Sequence, residues 1–181
     1  MLQLLQEIAA RSSEWVELRY HVRRSKRISV RNGRLEESST LRLAGVGVRA
    51  LVDGVFGFSS TTDLSEEGIA RAVSEAQGAA RTSASAKREK IARLPRVSLA
   101  TGEFAVQTRD PLDAHPLTEK LELVMKIDRM VRAASEGIVS SAVSYSELQD
   151  EKVIVTSDGA AAHVIDAKTR FSCPGCCTEG R

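Results

Sequence analysis

The side chains that could hold a metal or act in acid–base catalysis are three histidines, His21, His115 and His163. A zinc site built on one helix needs a second ligand three or four residues away, as in His-Glu-x-x-His, and we find no such partner for any of the three. Histidines of this kind are typical of a protein surface or of the rim of a sheet. The sequence therefore assigns them no catalytic or metal-binding role.

Two further segments carry potential nucleophiles or metal ligands. The hydroxyl run Ser-Ser-Thr-Thr at 59–62 lacks a Gly-x-Ser-x-Gly elbow, and it fits the end of a strand followed by the start of a helix. The run Cys-Pro-Gly-Cys-Cys at 173–177 contains a Cys-x-x-Cys, but a zinc knuckle needs a second ligand pair and a redox site needs a following helix. We therefore predict no catalytic, cofactor-binding or metal-ligating residue in the chain.

A cluster of basic residues marks one predicted hairpin: Arg19, Arg23, Arg24, Lys26, Arg27, Arg31 and Arg34. Such a cluster could contact phosphates or an acidic peptide. No aromatic side chain is interleaved with its outer face, and acidic residues elsewhere leave a net charge of only +2. A solvated sheet face is therefore favoured, and we do not expect nucleic-acid binding.

The composition is that of a globular protein, with 42% hydrophobic and 28% charged residues. We see no apolar run long enough to span a membrane and no basic region of a signal peptide, so the cytoplasm is the expected location. All three cysteines lie in the last nine residues, so we expect no disulfide framework in the rest of the chain.

Tight turns predict most of the sheet. Asp53-Gly54 and Asn32-Gly33 each stand between strand-like runs and suit two-residue hairpin turns, and a third turn is predicted at 157–159. The alternation from Trp15 to Arg23 predicts a strand that buries Val16, Leu18, Tyr20 and Val22, followed by a charged bend at 23–27. Further strands are expected at 28–30, 35–43, 46–52, 55–58, 138–148, 152–156 and 162–165. Glycines at 45, 47 and 57 indicate a bulge or the close approach of another element.

Helical spacing predicts three helices, at 2–11, from 63–65 to about 81, and at 116–135. Asp63 or Ser65 would cap the second helix, whose apolar stripe is Ile69, Ala72, Val73, Ala76 and Ala80. We expect Glu122 to pair with Lys126 on the third helix, and its buried face to be Leu117, Leu121, Val124, Ile127 (or Asp128), Val131 and Ala134. Residues 82–110 are predicted to be a long surface connection. The predicted fold is α+β, a mostly antiparallel sheet with helices packed on one face.

Taken together, these segments resemble the amino-terminal domain of the TldD/PmbA family of metalloproteases, once described as modulators of DNA gyrase. The resemblance covers about residues 10–168, in matching order and spacing. It rests on Val-Glu-Leu-Arg-Tyr at 16–20, Ile-Ser-Val-Arg-Asn-Gly-Arg-Leu-Glu at 28–36, the glycine-rich hairpin at 45–58, Ser-Thr-Thr-Asp-Leu at 60–64 and the helix and strands at 119–159. The Val-Asp-Gly-Val-Phe-Gly-Phe form of the hairpin is more similar to the TldD subunit than to PmbA.

The resemblance implies a scaffold role. Family members are longer, and their zinc site, a His-Glu-x-x-x-His helix with a distant cysteine, lies beyond this domain. That motif is absent here, so we expect no cofactor in this chain, although full-length members carry zinc, and we expect the chain to be inactive alone. The family implies a homo- or hetero-oligomer with a TldD/PmbA-type subunit, enclosing a cleft in which an extended peptide is cut.

The carboxyl-terminal residues depart from the family pattern. We assign 1–170 to the TldD/PmbA-type domain and 171–181 to an irregular tail that suggests a frameshift or truncation. The main alternative to the scaffold role is a non-catalytic module that binds a protein or peptide, and nucleic-acid binding through the 19–34 hairpin is a weaker one.

Overall fold

The computed structural model describes residues 1–92, 94, 95 and 97–177. The chain forms helices and strands in this order: α1 (Leu2–Ala10), β1 (Trp15–Arg31), β2 (Arg34–Val52), β3 (Val55–Thr61), α2 (Glu66–Ala84), β4 (Thr101–Ala105), a 3-10 helix (Leu112–Ala114), α3 (Leu117–Ala133), β5 (Ile138–Thr156), β6 (Ala161–Ser172) and β7 (Gly175–Cys177). No helix among these residues is both long and apolar enough to cross a membrane. The cytoplasmic location stays a prediction.

The strands follow the order β3-β2-β1-β5-β6-β4, and β7 pairs with β5 off this path. The β2–β3 and β5–β7 pairs are antiparallel, whereas β4 runs parallel to β6. The predicted α+β class with a mostly antiparallel sheet is therefore confirmed.

The described residues divide into two compact units. Unit 1 contains Met1–Val22, Leu43–Ala105 and Asp150–Ile165, and unit 2 contains Arg23–Arg42, Val106–Gln149 and the residues from Asp166 onward. The long strands β1, β2, β5 and β6 each contribute to both units.

In unit 1, helices α1 and α2 cover the apolar side of the strands. The alternating residues Val16, Leu18, Tyr20 and Val22 are all buried, as predicted, against the small-residue stripe of α2. The Ser65 side chain caps α2 by accepting a hydrogen bond from the Gly68 N–H at 3.1 Å, which resolves the choice between Asp63 and Ser65. Small side chains let α2 approach β3 closely.

The hairpin at residues 53 and 54 has the predicted register, because Val52 pairs with Val55 and Leu51 pairs with Phe56. Asp53 and Gly54 have φ values of 51° and 77°. Asn32 and Gly33 adopt the same left-handed conformation, with φ values of 48° and 78°. Both predicted two-residue turns are therefore confirmed, and both depend on residues that tolerate positive φ.

In unit 2, α3 packs on Ile28 and Val30 of β1 and on Val143 of β5, with Val124 as its buried apolar residue. The predicted buried face is correct at Val124 but wrong at its ends, because Leu117 is 43% exposed and Ala134 is also exposed. The buried α3 positions also include the charged residues Lys120 and Asp128. Of the two alternatives at 127 and 128, Asp128 is fully buried, and Ile127 is half-buried against the apolar cluster.

Three predictions of breaks and loops are wrong. β1 continues through the expected bend at 23–27, because its backbone pairs with β2 on one side and β5 on the other. β5 is one strand instead of two. The connection at 82–110 contains β4, whose five residues are all exposed and so carry no alternating pattern.

Strand structure also extends into the expected irregular tail. β6 continues through Ser172, and Gly175–Cys177 forms β7 against the start of β5. The remaining tail, at 178–181, lies outside the described residues. The domain boundary at residue 170 stays a prediction.

Candidate functional site

Each of the three histidines lies beside carboxylates. His21 Nε2 is 2.8 Å from Asp150 Oδ1. His163 has one ring nitrogen 3.3 Å from Glu103 and the other 3.3 Å from Glu151. The described residues contain no group of three or more His, Cys, Asp or Glu side chains arranged to hold a metal ion. Their donor set therefore does not fit a zinc ion.

His115 bridges two carboxylates at the start of α3. Its Nε2 is 2.9 Å from Asp110 Oδ2, and its Nδ1 is 3.1 Å from Glu119 Oε2. The expectation of no partner three or four residues away is therefore wrong here, because Glu119 follows His115 by four positions. The hydrogen bond to Asp110, followed by that to Glu119, raises the pKa of His115. Both nitrogens can donate only in the charged ring, so the geometry favours a proton over a metal.

The hydroxyl run has the structural role that its sequence predicts. Ser59 Oγ donates to Glu75 Oε2 at 2.7 Å, and Thr61 Oγ1 accepts from the Asp63 N–H at 3.0 Å. The first contact joins β3 to α2, and the second lies in the segment between them. Cys173 is an exposed free thiol, and the side chains of the other two cysteines lie outside the described part of the chain.

The basic residues of the β1–β2 hairpin are largely paired with acidic ones. The ion pairs are Arg19–Glu17 at 3.1 Å, Lys26–Asp113 at 3.4 Å, Arg27–Glu37 at 3.1 Å and Arg31–Glu36 at 2.7 Å. Arg23 and Arg24 also take part in polar or charged contacts. This neutralisation favours a solvated sheet face over an extended nucleic-acid-binding surface.

A buried charged centre in unit 2 is the feature that the sequence analysis missed. Lys120 and Glu147 are 7% and 4% exposed and form an ion pair. The Tyr145 hydroxyl donates to Glu147 Oε1 at 2.7 Å, and Lys120 Nζ donates to the Leu112 carbonyl of the 3-10 helix. Burial and then the bond to Glu147 raise the pKa of Tyr145, so its hydroxyl stays a donor at neutral pH.

A second buried polar cluster anchors the Asn32-Gly33 turn. Asp128 is fully buried, accepts from Ser141 Oγ at 2.6 Å and accepts from Arg132 Nε at 3.0 Å. The Ser141 N–H in turn donates to Asn32 Oδ1 at 2.9 Å. The turn, α3 and β5 are therefore held together by hydrogen bonds that satisfy the buried carboxylate.

One signal in the sequence could have revealed both clusters. Lys120, Val124 and Asp128 recur at intervals of four, so they share one face of α3. When a helix face carries a valine with a charged residue one turn before it and another one turn after it, buried ion pairs are indicated, provided that oppositely charged residues are present elsewhere in the chain. The partner of Lys120 is Glu147 of β5, which periodicity within α3 cannot identify, whereas Asp128 pairs with Arg132 of α3 itself.

A groove of about 810 Å³ opens along α3 beside the charged centre. Apolar side chains, including Leu121, Met125 and Tyr145, form part of its wall, and Glu119, Lys126 and Arg129 add charges of both signs. The predicted pair of Glu122 with Lys126 is absent from the ion pairs of the described residues. The groove has the size of a ligand site, and its lining offers binding groups but no nucleophile beside a base.

Comparison with known proteins identifies two domains. Residues 16–80 match the sequence model of the PmbA/TldA metallopeptidase domain 1. Residues 110–174 match that of the PmbA/TldA metallopeptidase central domain. The two matches are in order and together cover most of the chain.

Relatives found by sequence are named metalloproteases. One from Methanocaldococcus jannaschii is 26% identical over 147 residues, which are 81% of this chain and 32% of that protein. A metalloprotease of Methanothermobacter thermautotrophicus is 25% identical over 92% of this chain and 35% of its own length. A TldD homologue of Buchnera aphidicola is 24% identical over 93% of this chain and 34% of its own length. The chain thus spans about a third of the length of these relatives.

Solved structures share the fold. A protein of Thermotoga maritima described as a modulator of DNA gyrase has a TM-score of 0.74 at 16% identity, over 99% of this chain and 40% of that one. TldE from Thermococcus kodakarensis has a TM-score of 0.64 at 17% identity, over 96% of this chain and 39% of that one. With both domain models matched in order, the chain belongs to the PmbA/TldD family of metallopeptidases.

Proposed function

We propose that the chain is the amino-terminal, cleft-forming scaffold of a TldD-like zinc metallopeptidase subunit that cleaves peptides or unfolded small proteins. The observation that carries this proposal is the ordered pair of family domains, first and central, in a chain about a third as long as its relatives. Those relatives bear the name metalloprotease, which supports proteolysis as the activity of the complete assembly.

The zinc chemistry would come from elsewhere in that assembly. Zinc in this family would activate a water molecule for amide hydrolysis. The three histidines are bound to carboxylates in separate places, so the donor set of the described residues does not fit that ion. We therefore expect the chain alone to be inactive.

The exposed part of strand β2 supports the proposal that the chain binds a partner subunit, in a homo- or hetero-oligomer. Its ten residues at 34–43 are exposed on both faces. Leu35, Leu41 and Leu43 are 47%, 53% and 56% exposed. Alternating leucines on an uncovered strand are typical of a surface that another part of an assembly covers.

The test compares three samples: the purified chain, a full-length PmbA/TldD subunit of the same organism, and the two co-expressed. We expect no cleavage of an unfolded peptide by the chain alone and faster cleavage by the co-expressed pair than by the full-length subunit alone, together with slower amide hydrogen exchange at 34–43. Leu41→Glu should weaken the complex, whereas Leu117→Glu, a similarly exposed leucine of α3, serves as the matched control. Cleavage by the chain alone would contradict the proposal.

The second candidate is a non-catalytic module that binds a protein or peptide. The groove along α3 favours it, since it combines apolar walls with charges of both signs and no nucleophile–base pair. The co-expression experiment separates the two candidates. A complex that forms with the full-length subunit but leaves its cleavage rate unchanged supports the binding module.

A further inference from the structure

A second cavity in unit 2 has a different character from the groove along α3. It measures about 450 Å³ and is formed by β1, β2, β5 and the 3-10 helix. Arg24, Lys26 and Arg42 bring three cations to its lining. Neutral hydrogen-bonding side chains complete the polar wall: Ser25, Thr40 and Gln149.

The two carboxylates that line this cavity already have cationic partners. Lys26 Nζ lies 3.4 Å from Asp113 Oδ1 and 3.6 Å from Glu147 Oε2. Glu147 is also paired with Lys120 and accepts the hydrogen bond from Tyr145. Because Lys120 contributes a further cation, the carboxylates do not cancel the positive charge of the lining.

Arg42 is the cation best placed to meet a ligand. Its guanidinium makes no hydrogen bond or ion pair within the part of the chain that the structure describes, and the residue is exposed. Other residues of the cavity wall can also donate hydrogen bonds, namely the Lys26 ammonium, the Gln149 amide and the Thr40 hydroxyl. The N–H groups of a planar guanidinium, together with these donors, suit the geometry of the oxygen atoms of phosphate and carboxylate groups.

We propose that this cavity binds a small oxyanion, a phosphate or a carboxylate group, with Arg42 as its principal contact. The volume accommodates such a group with part of a larger molecule attached to it. The cavity walls on β1, β2 and β5 have a lower dielectric constant than water. This strengthens the attraction between the positively charged lining and an anion. This binding does not depend on the proposed peptidase role.

The test is an NMR titration of the ¹⁵N-labelled chain with inorganic phosphate and, separately, with acetate. Sodium chloride keeps the ionic strength constant, so that general screening is the same at every point. We expect saturable shifts at the amides of Arg42, Gln149 and their neighbours. Saturation with phosphate alone identifies the ligand class as phosphoryl, and saturation with acetate as well identifies it as a general oxyanion.

The variant Arg42→Ala should raise the Kd for the anion about tenfold or more, because it removes a charge-assisted hydrogen bond. Arg81→Ala removes an equally charged, exposed residue of α2 that lines neither the cavity nor the groove along α3, and its Kd should stay near that of the unchanged chain. Arg42→Gln provides the same test with a polar side chain if the alanine variant folds poorly. Absence of saturation with either anion, or equal weakening by Arg81→Ala, overturns the proposal.

Discussion

Lys120 and Glu147 show how strongly single residues of unit 2 depend on one another. Each is almost completely buried, and each has the other as its counter-charge. A buried pair adds little net stability compared with apolar residues, but the loss of one member leaves an uncompensated charge. The charged centre should therefore be sensitive to single substitutions and tolerant of a double one.

Glu147→Gln should lower the free energy of unfolding by about 3–5 kcal/mol, because Lys120 would lose its buried counter-charge. Urea denaturation followed by circular dichroism measures the change. Glu122→Gln, on the exposed side of α3, is the matched control and should change stability by about 0.5 kcal/mol or less. The double variant Lys120→Met with Glu147→Leu should recover part of the loss. Equal stability of the two Gln variants would contradict this account.

His115 gives a prediction about pH. Its folded-state pKa is raised above 6.5, first by Asp110 and then by Glu119. Its contribution to stability is therefore fully present below the unfolded pKa and is lost as the pH rises through the higher folded value. An NMR titration of the ring should show that Asp110→Asn lowers this pKa more than Glu119→Gln does. The opposite ranking would show that the Asp110 contact is the weaker one.

The sequence predicted the residues whose partners are local and missed those whose partners are distant. The cap of α2 and the turn residues Asp53 and Gly54 follow from rules that act over a few positions. The burial of Lys120 and Asp128 depends on Glu147 and Ser141 of β5. A pattern confined to α3 cannot include those contributions, so the burial of Lys120 was not predicted and Asp128 was only the alternative to Ile127.

At the scale of elements, the contact between α2 and β3 is set by glycine. A Cβ atom at Gly57 would lie 2.0 Å from the Ala76 carbonyl oxygen and 2.5 Å from the Ala80 nitrogen. These are backbone atoms, which cannot move without displacing the helix. At Gly47, on the neighbouring strand, a Cβ atom would meet nothing within 4 Å. The same substitution should therefore have opposite effects at the two positions.

Gly57→Ala should destabilise the chain by about 3 kcal/mol or more, because the new methyl group forces α2 away from β3. Gly47→Ala should be neutral or stabilise it by about 0.5 kcal/mol, because alanine restricts the unfolded strand and fits without a clash. Urea unfolding of both variants measures the difference. Similar midpoints for the two would show that the α2–β3 packing is looser than described.

The elements themselves were predicted with uneven success for a physical reason. Glycine turns and apolar alternation identified the hairpins and the strands that face a core. The bend expected at 23–27 was wrong because pairing on both sides keeps a charged strand extended. β4 was missed because an edge strand with every residue exposed has no apolar period, and its parallel pairing with β6 joins distant parts of the chain.

For the whole molecule, the two ordered domain matches place the chain in a metallopeptidase family, and its described side chains line a groove and a smaller cavity. Both hydrophobic clusters are complete within their units, so each unit has a core of its own. The exposed leucines of β2 form apolar surface that the proposed assembly would cover. A scaffold that positions other groups is the role that these features support together.

The zinc content of the purified chain tests this account most directly. Inductively coupled plasma mass spectrometry after dialysis against zinc and then buffer gives the number of ions held per chain, and cleavage of an unfolded peptide is measured on the same sample. We predict less than stoichiometric zinc and no cleavage. One tightly bound zinc ion per chain, with peptide cleavage that a chelator abolishes, would contradict the scaffold role.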